Sequence, residues 1–152
     1  MKLFRSFLEP LLPHAPVQVL DDPVLGALKW DSETKSWISP PVEPANRYDF
    51  QIDRYKRLPT PPEDCVRVAH RLAGDPERLD WLLRVVLGHE ADRRPEPLRA
   101  GILRLSITRI TLRSDSGRVR GEMWLDGEPP LFNWSCWHSD GIPVGAGPQW
   151  ES

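Results

Sequence analysis

The chain has 152 residues, a formal net charge of −2, 39% hydrophobic residues and 28% charged residues. That length fits one domain burying about 70% of its unfolded surface, and the near-neutral balance excludes a bulk attraction to nucleic acid or an anionic membrane. Seventeen prolines point to many turns and few long helices, and seven tryptophans supply either a large aromatic core or several interface anchors. Cys65 and Cys136 are too few for a disulfide framework and fit buried thiols in a reducing cytoplasm.

Lys2 and Arg5 open the chain, but Glu9, Pro10, Pro13 and Pro16 break any apolar run and no small-residue cleavage site follows. Residues 1–16 therefore read as a short amphipathic segment packed on the domain rather than a signal peptide. No stretch approaches the roughly 20 apolar residues of a membrane span. Val24–Trp30, the polar Asp31–Lys35 turn and Trp37-Ile38 read as a β-hairpin ended by Pro40, Pro41 and Pro44. Asp21-Asp22 shapes its start. Arg47–Asp53 alternates as a strand, with Tyr48, Phe50 and Ile52 on one face and Arg47, Asp49, Gln51 and Asp53 on the other.

Thr60-Pro61-Pro62-Glu63 has the form of a helix cap, with Thr60 as the capping residue and Pro61 at the first helical position. Cys65, Val66, Val68, Ala69 and Leu72 line the helical face, and Gly74 stops it. Asp75-Pro76-Glu77 starts a second helix carrying Leu79, Leu82, Leu83, Val86 and Leu87, with Gly88 near its end and Pro95 and Pro97 closing the region. Leu103, Leu105 and Ile107 alternate, then Ile110 and Leu112 alternate in the opposite phase, which predicts a bulge or an irregular start to the strand. After the Asp115–Gly117 turn, Val119, Gly121, Met123 and Leu125 share a strand face. Asp126-Gly127 is a hairpin signal, Leu131–His138 is an aromatic strand, and residues 142–152 form a Gly/Pro-rich tail. The whole reads as a single α+β domain: a mainly antiparallel sheet, made of the N-terminal hairpin plus strand and a C-terminal β-meander, with two central helices on one face.

Cys136, His138 and Asp140 are the strongest candidates for chemistry, because alternate residues of a strand share a face. A thiol nucleophile needs its base about 3 Å from sulfur, whereas neighbours two apart project in parallel. As a zinc set the three lack a C-x₂₋₄-C partner. The bland reading is a buried Cys136, an edge His138 and a turn-forming Asp140. His14, His70 and His89 read as structural or exposed, and His89-Glu90 is no H-E-x-x-H motif because residue 93 is Arg. Glu63-Asp64 suits a helix first turn. Phosphate-binding glycine motifs and the nucleophile elbow are absent, so no catalytic residue, metal or cofactor is assigned.

Charge is uneven. Arg99, Arg104, Arg109, Arg113, Arg118 and Arg120 crowd residues 99–120 and could contact phosphates, although a solvated sheet face that resists edge pairing explains them as well. From Gly121 onward Lys and Arg are absent, while Glu122, Asp126, Glu128, Asp140 and Glu151 remain. Of the tryptophans, Trp30, Trp37 and Trp81 are expected mostly in the core. Trp134, Trp137 and Trp150, with His138, Asp140, Glu122, Asp126 and Glu128, are expected to face a partner.

Asp22-Pro23-Val24-Leu25-Gly26-Ala27-Leu28 followed by Trp37, the Asp115–Gly117 turn, and Leu131-Phe132-Asn133-Trp134 with His138 resemble a family of small bacterial domains of unknown function. That family has a D-x-x-L-G-x-L…W opening and an aromatic pair followed by Gly-His; here His138 is preceded by Trp137. The resemblance spans roughly residues 20 to 140. It implies an interaction module or an immunity protein of a bacterial toxin system, and it brings no catalytic residues with it. The resulting expectation is a non-enzymatic cytoplasmic domain that binds a protein such as a toxin, with no membrane role. The alternatives are a small enzyme or metal protein using Cys136, His138 and Asp140, or a nucleic-acid binder using the arginine strands.

Overall fold

The computed structural model describes residues 15–42 and 48–149. Four strands come first: β1 (Val19–Asp22), β2 (Gly26–Asp31), β3 (Ser36–Ile38) and β4 (Asp49–Asp53). Three helices follow, α1 (Glu63–Gly74), α2 (Pro76–Asp92) and α3 (Glu96–Ile102), and then β5 (Ser106–Asp115), β6 (Arg118–Asp126), β7 (Trp134–Ser139) and β8 (Ile142–Pro148). All eight strands join one sheet in chain order. Every neighbouring pair is antiparallel except β4 and β5, which are parallel. Two parallel neighbours need a crossover connection, and the three helices form it. Among the described residues no helix is long and apolar enough to cross a membrane.

Residues opposite each other in a ladder share a sheet face. Phe50, Ile110, Met123, Cys136 and Ala146 stand opposite one another along one row of strands, and all are buried. The helices cover that face. α1 packs on β4, β5 and β6, α2 packs on β8, and α3 packs on α2. Cys65, Val68, Ala69 and Leu72 from α1 and Leu79, Leu83, Leu87 and Ala91 from α2 complete the core. Each fully buried side chain of this size contributes about 1.5–3 kcal/mol, so the covered face carries most of the fold's stability.

Several local expectations are revised. Thr60 does not cap α1: the helix starts at Glu63, and Pro62 is extended with φ −57° and ψ 133°. Pro61 precedes a proline, which disfavours the helical region and postpones the start. Asp75 does cap α2, its carboxylate accepting the Arg78 N–H at 3.2 Å. Pro95 and Pro97 do not simply close the region. They flank the start of α3, where a missing N–H costs nothing. β1 is an additional strand paired with β2. The phase slip after Ile107 is a bulge between Ile107 and Arg109, while Leu103 belongs to the exit of α3 rather than to a strand. Asp126-Gly127 is no tight hairpin; β7 begins only at Trp134, because Pro129 and Pro130 lack the N–H groups a ladder needs.

The Gly/Pro-rich stretch is likewise not a tail along its length, since residues 142–148 form β8. Its glycines lie against an aromatic ring: a Cβ on Gly145 would stand a slightly tight 3.3 Å from the Trp137 indole, while one on Gly147 would make an ordinary contact at 3.5 Å. Residues 1–14 and Trp150 lie outside the described residues, and so does most of the expected N-terminal segment.

Candidate functional site

The sheet's second face carries the alternate residues: Asp49, Gln51 and Asp53 from β4, Arg109, Thr111 and Arg113 from β5, Arg120, Glu122 and Trp124 from β6, and Ser135 and Trp137 from β7. Arg109 is its best-anchored side chain. Its Nε donates to Asp49 Oδ1 at 2.7 Å and one terminal nitrogen to Asp49 Oδ2 at 2.9 Å, while the other donates to Gln51 Oε1 at 3.2 Å. The guanidinium also lies 5.5 Å from the Trp124 ring centroid. Bidentate pairing and ring stacking both suit the planar guanidinium, and they immobilise Trp124 while leaving it 38% exposed.

Beside this cluster lies a cavity of about 370 Å³ lined by Asp53, Arg113, Arg120, Glu122 and Trp137, with Gly121 and His138 at its base. Burial pushes the Asp53 carboxyl above its ordinary value, against the opposing pull of Gln51 and Arg113. A second hollow of about 320 Å³ opens beside Trp124 and is lined by Phe132, Asn133, Trp134 and Asp126. Phe132 is 54% exposed there.

Cys136, His138 and Asp140 share a strand and its turn but do not assemble a nucleophilic site. The backbone pairing of β5 and β6 passes from Ile110–Met123 to Arg113–Arg120, and His138 serves the gap. Its Nε2–H donates to the Thr111 carbonyl at 2.8 Å, and its Nδ1 accepts the Gly141 N–H at 3.2 Å. Thr111 Oγ1 accepts the Glu122 N–H at 2.9 Å in the same gap. Gly121 makes this possible, since a Cβ there would come within 1.9 Å of the Thr111 oxygen and 3.0 Å of the His138 ring. Both imidazole nitrogens are thus committed, and neither is left to take a thiol proton. Burial lowers the His138 pKa below its ordinary 6.5, against the bonds to Thr111 and the charge of Asp140. Burial also pushes the Cys136 thiol up to about 12, the opposite of what activates a nucleophile. Asp140 sits at φ 52° in the β7–β8 turn, where its carboxylate accepts the Val119 N–H at 2.9 Å and its carbonyl accepts from Arg71. His138 is therefore an interior pin rather than an edge residue.

Trp134 is corrected as an interface residue: it is 3% exposed, with the Arg94 guanidinium 5.5 Å from its ring centroid. Trp81 is corrected the other way, being 65% exposed on α2. Trp37 is fully buried and Trp30 packs edge-on against it at 4.7 Å. Trp137 and Glu122 lie on the second face, Asp126 borders the aromatic hollow, and Glu128 is exposed near Arg104 at 3.8 Å. His70 proves to have a partner that sequence spacing did not indicate. Its Nε2 lies 2.8 Å from both Asp22 oxygens, tying α1 to the β1–β2 turn. Burial raises the Asp22 pKa, but the N–H bonds from Leu25 and Val24 and the His70 contact outweigh it and hold the carboxyl below its ordinary value. Among the described residues no cluster of three His, Cys, Asp or Glu side chains could hold a metal ion.

The fold and this geometry define an α+β protein whose sheet is covered by helices on one face and carries a charged, aromatic site on the other. No protein-family model, curated protein or solved structure matches the chain.

Two measurements probe the His138 and Cys136 assignments. A thiol reagent at pH 8 is expected to leave the native protein unmodified and to titrate both cysteines on unfolding in guanidinium; one fast-reacting native thiol would contradict the structural role of Cys136. For His138, the unfolded chain binds its proton first as pH falls below about 6.5. Stability is therefore constant with respect to this group at higher pH and declines as pH drops through 6.5 toward the lower native value, by at most about 1.4 kcal/mol per pH unit. Urea midpoints between pH 8 and pH 5 are expected to show that decline and to show less of it in His138→Gln. An identical slope in the two proteins would refute the neutral, pinned imidazole.

Proposed function

We propose that the protein is a non-catalytic binding domain whose protein partner docks on the second face of the sheet. The observation that carries this reading is the Arg109 cluster: Asp49, Arg109 and Trp124 hold one another in place at a partly exposed surface. Side chains fixed in advance lose little freedom on association, and Trp and Arg are the residue types most enriched at binding hot spots. The flanking hollows add concave relief to the same region. Trp81 is more exposed, yet it has no described ring or cation partner to fix it.

The arginines of residues 99–120 favour protein over nucleic acid as the partner. Arg109 is taken by Asp49, and Arg99 by Glu96 at 2.9 Å. Guanidiniums engaged by carboxylates are poorly placed to release counterions from a phosphate backbone. The immunity form of this role, neutralising a bacterial toxin, is supported by the sequence resemblance alone.

Co-expression with the products of the genes flanking its own, followed by affinity capture, tests the reading. A stable partner is expected, bound at least about tenfold more weakly by Trp124→Ser, a loss near 1.4 kcal/mol or more, and unchanged by Trp81→Ser. Capture that depends on Trp81 and ignores Trp124 would overturn the choice of face, and rescue from a co-expressed toxin is the expected sign of the immunity form.

A further inference from the structure

Within the 370 Å³ cavity, Arg113 and Arg120 stand directly opposite each other across β5 and β6. Like charges in opposed positions of a ladder destabilise it. Neither arginine has its charge closely answered. Arg120 lies at a loose 3.7 Å from Asp115, and among the described residues no carboxylate lies within ion-pair distance of Arg113. Asp53, which feels the Arg113 charge, belongs to the same lining, as does Glu122. The Trp137 indole forms another wall, with Gly145 packed close behind it.

This lining selects among ligand chemistries. An anion between the two guanidiniums gains charge-assisted bonds from both and relieves their repulsion. Asp53 and Glu122 flank the same space, so a chain of repeated phosphates, which offers acceptors without donors, meets repulsion there. A peptide segment carries a carboxylate for the arginines, amide N–H donors for Asp53 and Glu122, and apolar surface for Trp137.

We infer that this cavity is the socket for an aspartate or glutamate side chain of the protein partner, gripped by Arg113 and Arg120. The inference rests on the docking reading of the same face and adds the partner's chemistry: an acidic residue on an exposed segment, with a neighbouring apolar group against Trp137.

The socket is tested without the partner by titrating the full chain with acetyl-hexaglutamate-amide and following the arginine Nε–H signals by NMR. Acetyl-hexalysine-amide and inorganic phosphate serve as comparison probes. The expected result is a saturating shift of the Arg113 and Arg120 signals with the acidic peptide alone. Binding is expected to weaken about tenfold or more in Arg113→Gln, a variant expected to keep the fold because Arg113 is exposed and its loss relieves a like-charge pair while removing the pull on Asp53. Arg113→Lys keeps the charge and loses the planar fork, and is expected to bind with intermediate strength. No saturable shift, an equal response to phosphate, or unchanged affinity in Arg113→Gln would each overturn the socket. Partner capture that survives Arg113→Gln would sink the socket and leave the docking face standing. Peptide binding without any partner on Trp124 would do the reverse.

Discussion

The parallel junction between β4 and β5 is the constraint on which the rest of the molecule depends. Among the described strands it is the one parallel pairing of the sheet. Four N-terminal strands and a four-stranded meander meet there, and the chain must run out over α1, α2 and α3 to make the join. Phe50 and Ile110 stand opposite each other on the covered side of that junction and are fully buried. On the other side Asp49 stands opposite Arg109, and the two form a bidentate pair. The apolar contact under the helices and the charge pair on the far face therefore fix the same register.

From that register follow the two unlike faces. A helix crossover covers one side with Leu and Val side chains, and the other is left to polar and aromatic residues. Arg109 belongs to both stories: it holds the junction and steadies Trp124. His138 plays a comparable part further along. By reaching across Gly121 to Thr111 it pins β7 to β5 through the middle strand, beneath the socket that Arg113 and Arg120 frame. The same residue that looked most like chemistry in the sequence is thereby committed to holding the site's floor.

How much of this was legible from the sequence depended on range. The alternation of Tyr48, Phe50 and Ile52, the spacing of Leu79, Leu83 and Leu87, and the Asp75 cap are local signals, and each corresponds to what the chain does. The two faces of β4 and β6 were legible for the same reason. What was not legible is pairing between distant segments: Asp49 with Arg109, Asp22 with His70, and His138 with Thr111. Sequence spacing carries no information about strands joined through a crossover. Trp134 and Trp81 exchanged their expected places because a tryptophan's type does not say which side of its element meets the core. The glycines of β8 were read as a tail because their place as a strand against the Trp137 ring becomes visible only once β7 lies beside them. The complementary alternation of acids on β4 and arginines on β5 was the one usable hint of the seam and of the candidate site together.

On the proposed function, the partner meets the face bearing Trp124 and Trp137, not the helical face bearing Trp81. Hydroxyl-radical footprinting of the tryptophans, free and in complex with the captured partner, tests this most directly. Trp124 and Trp137 are expected to be oxidised in the free protein and protected in the complex, while Trp81 reacts equally in both. Protection of Trp81 with Trp124 and Trp137 still reactive would contradict it.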